Sequence, residues 1–431
     1  MAKFKGCFLE VQLEAQSPMI HFQADQRHPG VTLRASEVKP KLDRFLLRKL
    51  KKADGCTDEK QLQKKYASFF ISPEHRAFNY KMDIVVNSQS VLVDLSPKDK
   101  TCKYELYYGN MGENQDGKKM GVFSSPKIVI FCAVAELKKL IQAHLTEFFL
   151  VTNFGTMQNK GFGSFLPRDS KYQNPLNETQ KEEIAGLLLE DLIDSIDGGK
   201  INRKTCYAMN FDEVPPGSYI EKNKYCIGLF KKIKQFYGIM KSGQNYSGFA
   251  RSYIYEYMHT KNIDNEKAWM KQNGISPVVY KNGYPNAKED RQDKNPKYVR
   301  AMLGTGEIIS YEKQEGKPYD KNEKVPVTIS ADEASGDEAI KRVPSPIFFK
   351  IIKNVVFIVA REIPKEIFHK KFVFENKLWD KKGTLFTPDQ FDIEEFLEKY
   401  VEYYNGDLRN KVNNMGKKVV KVKCIDMSEL Q

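Results

Sequence analysis

What this sequence has little of excludes several classes of protein before any motif is read. Seven cysteines (Cys7, Cys56, Cys102, Cys132, Cys206, Cys226 and Cys424) are scattered, odd in number and never spaced C-x-x-C. Several lie in apolar, strand-like runs where a buried free thiol is the default, so the pattern argues against a disulfide framework and for a reducing cytoplasm. The six histidines pair neither with each other nor with cysteine at ligand spacing. That argues against zinc, and no metal or other cofactor is expected. No apolar run approaches the ~18 to 20 residues that cross a bilayer, and the opening M-A-K-F-K-G lacks a signal-peptide core. Metal-dependent nuclease chemistry needs clustered carboxylates. The two acidic clusters, E-D-L-I-D (Glu190 to Asp194) and D-I-E-E (Asp392 to Glu395), read as solvated helix faces instead.

What is present is length, enough apolar residues, and positive charge. At 431 residues the length prior is about three domains, with two large ones equally compatible. Apolar residues make up 41%, enough for packed cores. Lys and Arg number 69 against 56 acids, a formal charge of +13. This balance favours a polyanionic partner, although a solvated basic surface produces the same total.

The stretch around which the chain is organised is N-F-G-T-M-Q-N-K-G-F-G-S-F, Asn153 to Phe165. It holds Gly155, Gly161 and Gly163, the aromatics Phe154 and Phe162, and Lys160. A strand-and-helix pattern precedes it and no helix follows directly, which argues against a dinucleotide fingerprint. Closely spaced glycines let one backbone approach another, because no Cβ intervenes and positive φ is allowed. In a basic protein a chain of phosphates is the natural partner for such a loop. A glycine-rich hairpin turn with no ligand is the alternative.

Before the loop, Phe4 to Glu14 alternates as a first strand. Ser36 reads as the N-cap of a helix running to about Lys52, with Glu37 in its first turn and Pro40 tolerated early. Leu42, Phe45, Leu46 and Leu50 form its apolar stripe, while Lys41, Arg44, Arg48, Lys51 and Lys52 fall largely elsewhere. That basic face is a phosphate track or merely a solvated surface. Tyr66 to Ile71, Tyr80 to Asn87, Val91 to Leu95 and Lys103 to Tyr108 are β-rich. A strand over Lys127 to Cys132 and a helix over Ala133 to Leu150 lead into the glycine-rich loop. This order is that of an expanded β-α-β-β-α-β, ferredoxin-like domain.

After the loop, Thr179 with Glu182 predicts a capping box for a helix ending at Gly198-Gly199. Further helices are expected over Ile227 to Lys241 and Phe249 to His259. A final one is capped near Thr387-Pro388 or Asp392 and stops at Asn405-Gly406. A strand pair (Arg342 to Ile351 with Val355 to Ala360) and a closing strand at Val419 to Lys423 complete the pattern. Two polar stretches, 281–297 and 312–341, read as surface insertions.

Three stretches carry a resemblance. L-R-A-S-E-V-K-P-K-L-D-R-F-L (Leu33 to Leu46) stands where CRISPR-associated RAMP proteins place a basic first helix, and N-K-G-F-G-S-F (Asn159 to Phe165) resembles their glycine-rich loop. R-V-P-S-P-I-F-F-K (Arg342 to Lys350) resembles the S-P-hydrophobic-K strand of first-subunit proteins of Cmr type III effectors. The resemblance implies one or two RRM-like folds. The expectation is an α+β chain with two ferredoxin-like (RRM-like) domains, 1–170 and 171–431, the second elaborated with extra helices and the two insertions. It further implies an antiviral-defence subunit that holds CRISPR RNA or its target RNA by the backbone, beside other effector subunits and away from membranes.

Carried over by position, the RNA contacts are Arg34, Lys39, Lys41, Arg44, Lys160, Gly161 and Gly163, with Arg48 on the same basic helix. Phe154 and Phe162 could stack on unpaired bases, although core packing suits them at least as well. Arg251, Arg300 and Lys350 are added because they sit in basic or motif-like segments. The rival is a metal-independent endoribonuclease of the same superfamily that processes repeat RNA. His21 or His28, in the loop after the first strand, would then take the 2′-hydroxyl proton.

Overall fold

The computed structural model describes residues 6–20, 33–56, 58–72, 75–86, 90–95, 97–99, 102–104, 120–172, 175–194, 205–213, 216–246, 248–250, 252–276, 295–304, 306, 308–312, 324–331, 343–408 and 419–426. In chain order the main elements begin with β1 (Phe8–Ala15), α1 (Ala35–Asp54), β2 (Lys81–Val85), β3 (Lys127–Phe131), α2 (Ala135–Val151) and β4 (Phe165–Pro167). There follow α3 (Glu178–Asp194), β5 (Thr205–Asn210), α4 (Tyr219–Lys241), α5 (Tyr253–Thr260), α6 (Glu266–Gln272), β6 (Ile308–Glu312) and β7 (Lys324–Ala331). The last are β8 (Ile347–Ile352), β9 (Val355–Ala360), β10 (Lys371–Asn376), β11 (Lys381–Phe386), α7 (Ile393–Tyr403) and β12 (Val422–Asp426).

The chain forms two compact units. The first takes Met1–Lys234, Phe348–Val359 and Val419–Gln431; the second takes Gln235–Ile347 and Ala360–Lys418. Residues on either side of position 170 therefore belong to the same unit.

Unit 1 contains two four-stranded sheets. The first has the order β2-β3-β1-β4, every neighbouring pair antiparallel, with Phe8 opposite Phe131 and Leu13 opposite Pro167. In β3 (K-I-V-I-F) the period-two pattern buries Ile128 and Ile130, and in α1 Val38, Leu42, Phe45, Leu46 and Leu50 turn inward. Phe45 of α1 meets Phe148 of α2 at 5.7 Å between ring centroids. The second sheet has the order β8-β9-β5-β12. Its strands β8 and β9 are buried at every position, as their unbroken apolar runs require.

Unit 2 holds a sheet of order β6-β7-β10-β11, antiparallel throughout, with Lys371 opposite Phe386 at one end of the last pair. Trp269 of α6 and Tyr298 pack edge-on against Phe374 from the buried side of β10. Helices α5 and α7 are joined by aromatics: Tyr253 and Tyr257 lie against Phe396, and Tyr253 against Tyr400. All seven cysteines are free thiols, and burial pushes that of Cys226 up to about 12. Among the described residues no helix is long and apolar enough to cross a membrane.

Several boundaries differ from the sequence expectation. The N-cap of α1 is Arg34 in extended conformation with no side-chain capping bond, rather than Ser36. The capping box of α3 is Asn177 with Gln180, each side chain accepting from the other's backbone N–H (2.9 and 3.2 Å). The segment at Ala67–Phe69 is a 3-10 turn rather than part of a strand. The glycine pair 198–199, most of both insertions, and residues 105–108 lie outside the described residues.

Candidate nucleic-acid interface

The glycine-rich loop does bring backbones together, and they are the protein's own. Gly155, Gly161 and Gly163 have φ of 76°, 92° and 69°, in the left-handed region that glycine alone adopts freely. A Cβ on Gly163 would stand 1.9 Å from the Phe154 carbonyl oxygen, and one on Gly155 would stand 2.4 Å from that of Ile20. Hydrogen bonds close the rest of the space. The Gly163 N–H donates to Pro18 O (3.0 Å), Ser17 Oγ donates to Gly161 O (2.6 Å), and Ser164 Oγ donates to Ile351 O (2.6 Å). Phe349 N–H donates to Asn159 O (3.1 Å), and Lys160 bridges Phe349 in parallel, so the loop covers the outer edge of β8. An uncovered edge would offer unpaired backbone groups to any other strand.

This corrects part of the expected site. Gly161, Phe162 and Gly163 are buried, and Phe154 and Phe162 are core side chains at 0% exposure rather than rings projecting from a loop. Phe162 stacks on Phe230 at 4.2 Å, and Phe154 lies against Phe149 and Phe165. A phosphate cannot approach glycines whose free space is already filled by Phe154, Ile351 and Ile233. Lys350 is likewise interior at 0% exposure, its Nζ donating to Thr152 O (2.7 Å) and Asn153 Oδ1 (3.1 Å). Burial, and then the nearby Lys41 charge, push its pKa well below the usual lysine range. The half-exposed remainder of the loop is 155–160, Lys160 included.

Helix α1 lies beside that remainder. Lys41 Nζ donates to Asn153 O and Gln158 Oε1 (both 3.0 Å), and Gly155 N–H donates to Glu37 Oε1 (2.8 Å). The expected meeting of basic helix and glycine loop exists, but Lys41 is spent in making it. Other bases on the helix are also engaged. Lys39 holds Asp43 (2.8 Å) and Phe78 O (3.0 Å), Arg48 pairs with Asp191, Lys49 with Glu147 and Glu190, Lys51 with Glu59, and Lys52 with Glu190. Glu190 and Asp191 are thus counter-charges for α1 rather than a merely solvated face. Arg34 and Arg44 differ: among the described residues neither has an acidic partner, and Arg44 is exposed. Sequence reasoning missed Ser17, Glu37, Asn153 and Ser164 as the groups that hold the loop. The dipeptide Ser17-Pro18 is a turn signal that could have pointed to the first of them.

Elsewhere, Arg300 donates from Nε to Glu266 Oε1 (2.6 Å), a carboxylate at 0% exposure that also accepts from Tyr255 OH (2.8 Å) and Val299 N–H (3.1 Å). It is an internal pair of unit 2 and is withdrawn from the RNA contacts. Burial, and then the Arg300 charge, push the neighbouring Lys241 down to about 7. Arg251, His21 and His28 lie outside the described residues. Among the described residues no cluster of His, Cys, Asp or Glu could hold a metal ion.

Family models extend the comparison to the whole chain: the Cmr1 N-terminal domain matches residues 6–244 and the Cmr1 C-terminal domain matches residues 249–421. The chain belongs to the Cmr1 family. The resemblance to the first subunit of the Cmr type III effector, carried at first by three short stretches, thus holds along its length. Among solved structures, the apo crystal structure of Cmr1 from Pyrococcus furiosus is similar, at 10% identity and a TM-score of 0.43. The match covers 97% of this chain and 98% of that one. A chain of the type III-B Cmr-beta complex, determined by cryo-EM bound to cognate target RNA, is similar over 38% of this chain and 58% of that one, at 13% identity and a TM-score of 0.24. None of the curated proteins matches. In this Cmr1-family chain the boundary between the two family models falls just after α4, at 244–249.

Proposed function

We propose that this Cmr1-family chain is a non-catalytic subunit of a type III CRISPR effector that holds CRISPR RNA, its target, or the paired duplex by the sugar-phosphate backbone. The observation that carries the reading is Arg34 and Arg44. They are the α1 cations left without acidic partners among the described residues, on a helix whose other bases are neutralised or tied to the loop. Lys160 and the half-exposed loop residues 155–160 border the same helix through Lys41, and the +13 net charge favours a polyanionic partner. Phosphate contacts of this kind position a strand without reading its sequence. The strand orders β2-β3-β1-β4 and β8-β9-β5-β12 support reading unit 1 as a pair of ferredoxin-like halves, a scaffold RNA-binding modules use repeatedly.

The test is binding of single-stranded RNA by the full chain over a salt series. Each phosphate neutralised contributes about 0.7 to the slope of log K against log salt. Arg34→Glu with Arg44→Glu should therefore weaken binding to every sequence alike and flatten the slope by about 1.4. An unchanged slope and affinity in that double variant would remove the proposal. Cleavage of the RNA that persists in chelator would replace the non-catalytic reading with the nuclease.

A further inference from the structure

Unit 2 carries an exposed group of side chains that none of the above uses. His369 sits between the 3-10 turn Lys365–Ile367 and β10, with a left-handed φ of 50°. Its Nδ1 lies 2.5 Å from Asp389 Oδ1, and its ring stacks on Phe386 with centroids 4.8 Å apart and planes at 27°. Backbone bonds fix the frame: His369 N–H donates to Pro388 O (3.1 Å), Thr387 N–H to Lys370 O (2.9 Å), and Tyr298 N–H to Phe386 O (2.8 Å). Lys297 stands 3.8 Å from Asp389 Oδ2 and 5.9 Å from the Phe386 ring, and Lys371 is the cross-strand partner of Phe386. The side chains of His369 and Asp389 are 66% and 65% exposed, and residue Phe386 is 39% exposed.

A stability argument does not account for this arrangement. An exposed ion pair contributes little, and a phenylalanine left 39% exposed forgoes part of the usual gain from burial. As a binding site its parts have complementary uses. The two stacked rings leave the outer face of the imidazole open, a platform on which any unpaired base can stack. Asp389 occupies Nδ1, so Nε2 is left to the solvent as a hydrogen-bonding group of fixed direction. The histidine hydrogen bond, with Lys297 beside it, holds the Asp389 carboxyl below its ordinary range, so its charge is answered within the group. Lys297 stays with Asp389, and Lys371, the cross-strand neighbour of Phe386, places a cation beside the platform. The segment from Lys365 to Phe386 carries six lysines against three acids, which favours a polyanion over an acid-seeking or neutral protein surface.

We infer that His369, Phe386, Lys297 and Lys371 form a stacking site for an unpaired nucleotide of a single-stranded RNA, on unit 2 and separate from the α1 surface. The inference deepens the RNA-holding reading above and rests on it only for the identity of the ligand. Backbone contacts on α1 grip any strand, whereas a stacking platform demands an unpaired base, so the site prefers single-stranded over duplex RNA.

The experiment uses the full chain with a single-stranded RNA oligonucleotide carrying 2-aminopurine, whose fluorescence falls when the base stacks. The parent chain is expected to quench it. Phe386→Ala and His369→Ala should abolish the quench and weaken binding by roughly 5- to 150-fold, the span of base–aromatic stacking. Phe386→Trp should restore both, which a merely structural role would not do. Unchanged quench and affinity in Phe386→Ala overturn the inference. So does intact RNA binding by that variant with loss of another effector subunit on co-purification, which would make the patch a protein contact. The Arg34→Glu, Arg44→Glu chain separates the two readings: a flattened slope there with a quench lost in Phe386→Ala supports both, a flattened slope with no Phe386→Ala effect overturns the stacking site alone, and a Phe386→Ala effect with an unchanged slope overturns the α1 reading alone.

Discussion

Replacing Gly163 by alanine tests whether the glycine-rich loop is a structural closure. The added Cβ would lie 1.9 Å from Phe154 O, 2.8 Å from its carbonyl carbon and 3.0 Å from its nitrogen. Relief requires the Phe154 peptide to retreat by about 1 Å, judged against a closest ordinary approach of 3.0 Å. That peptide is not free to move: its N–H, that of Gly155, donates to Glu37 Oε1 (2.8 Å), the Phe154 N–H donates to Gly163 O (2.9 Å), and the Phe154 ring is at 0% exposure among Phe148, Phe149 and Phe165. Overpacking costs about 1–3 kcal/mol, and a Cβ in the left-handed region about 1–2 more. A loss near 3 kcal/mol is expected, or roughly 6–12 °C in thermal midpoint at 2–4 °C per kcal/mol. Gly228, exposed on α4 with nothing within 4 Å of where its methyl group would stand, is the internal control. There Gly→Ala should stabilise by about 0.8–1 kcal/mol, the helix-propensity difference. Circular dichroism melts of both variants give the comparison. A Gly163→Ala midpoint within about 2 °C of the parent would refute the closure reading.

Two further outcomes follow from buried charge in unit 1. Asp43, 7% exposed, accepts from Lys39 (2.8 Å), Tyr80 OH (2.7 Å) and Phe78 N–H (3.3 Å), so Asp43→Ala should cost about 3 kcal/mol or more in urea unfolding by stranding all three. Burial pushes the Glu14 carboxyl up, but Lys222 at 2.7 Å, with Lys353 and Arg168, outweighs it and holds the pKa below the ordinary value. Its stabilisation is therefore present above the unfolded pKa and lost as pH falls through the folded one. The midpoint gap between parent and Glu14→Gln should be full at pH 7 and close on acidification below about 4.

Local order was legible where it depends on short-range chemistry. The apolar spacing of α2, the β-rich composition of β2 and the apolar run of β9 placed those elements within a few residues. Asp392 caps α7, its Oδ1 accepting from the N–H groups of Glu394 and Glu395. Less legible was what the elements do to each other. Glycines at positive φ signal close approach, but nothing in Asn153 to Phe165 says that the approaching chain is β8, nearly two hundred residues onward. The basic stripe of α1 looked like a phosphate track because its counter-charges, Glu147, Glu190 and Asp191, lie on helices that only tertiary packing brings alongside. Lys350 sits in an apolar strand, where burial was the simpler reading; its resemblance to a family motif drew it to the surface.

The position of β5 in its sheet has a consequence for how the chain is made. Its neighbours on the two sides are β9 and β12, both synthesised long after it. Until they leave the ribosome, β5 has no strand beside it in that sheet, and Asn159 awaits the Phe349 amide that completes the loop. A fragment ending at residue 244, where the first family model stops, would carry that unfinished sheet permanently. Cutting the gene there would give an aggregating half-protein, whereas excising Gln235–Ile347 together with Ala360–Lys418 removes unit 2 and keeps all four strands of the sheet, less one end residue each of β8 and β9.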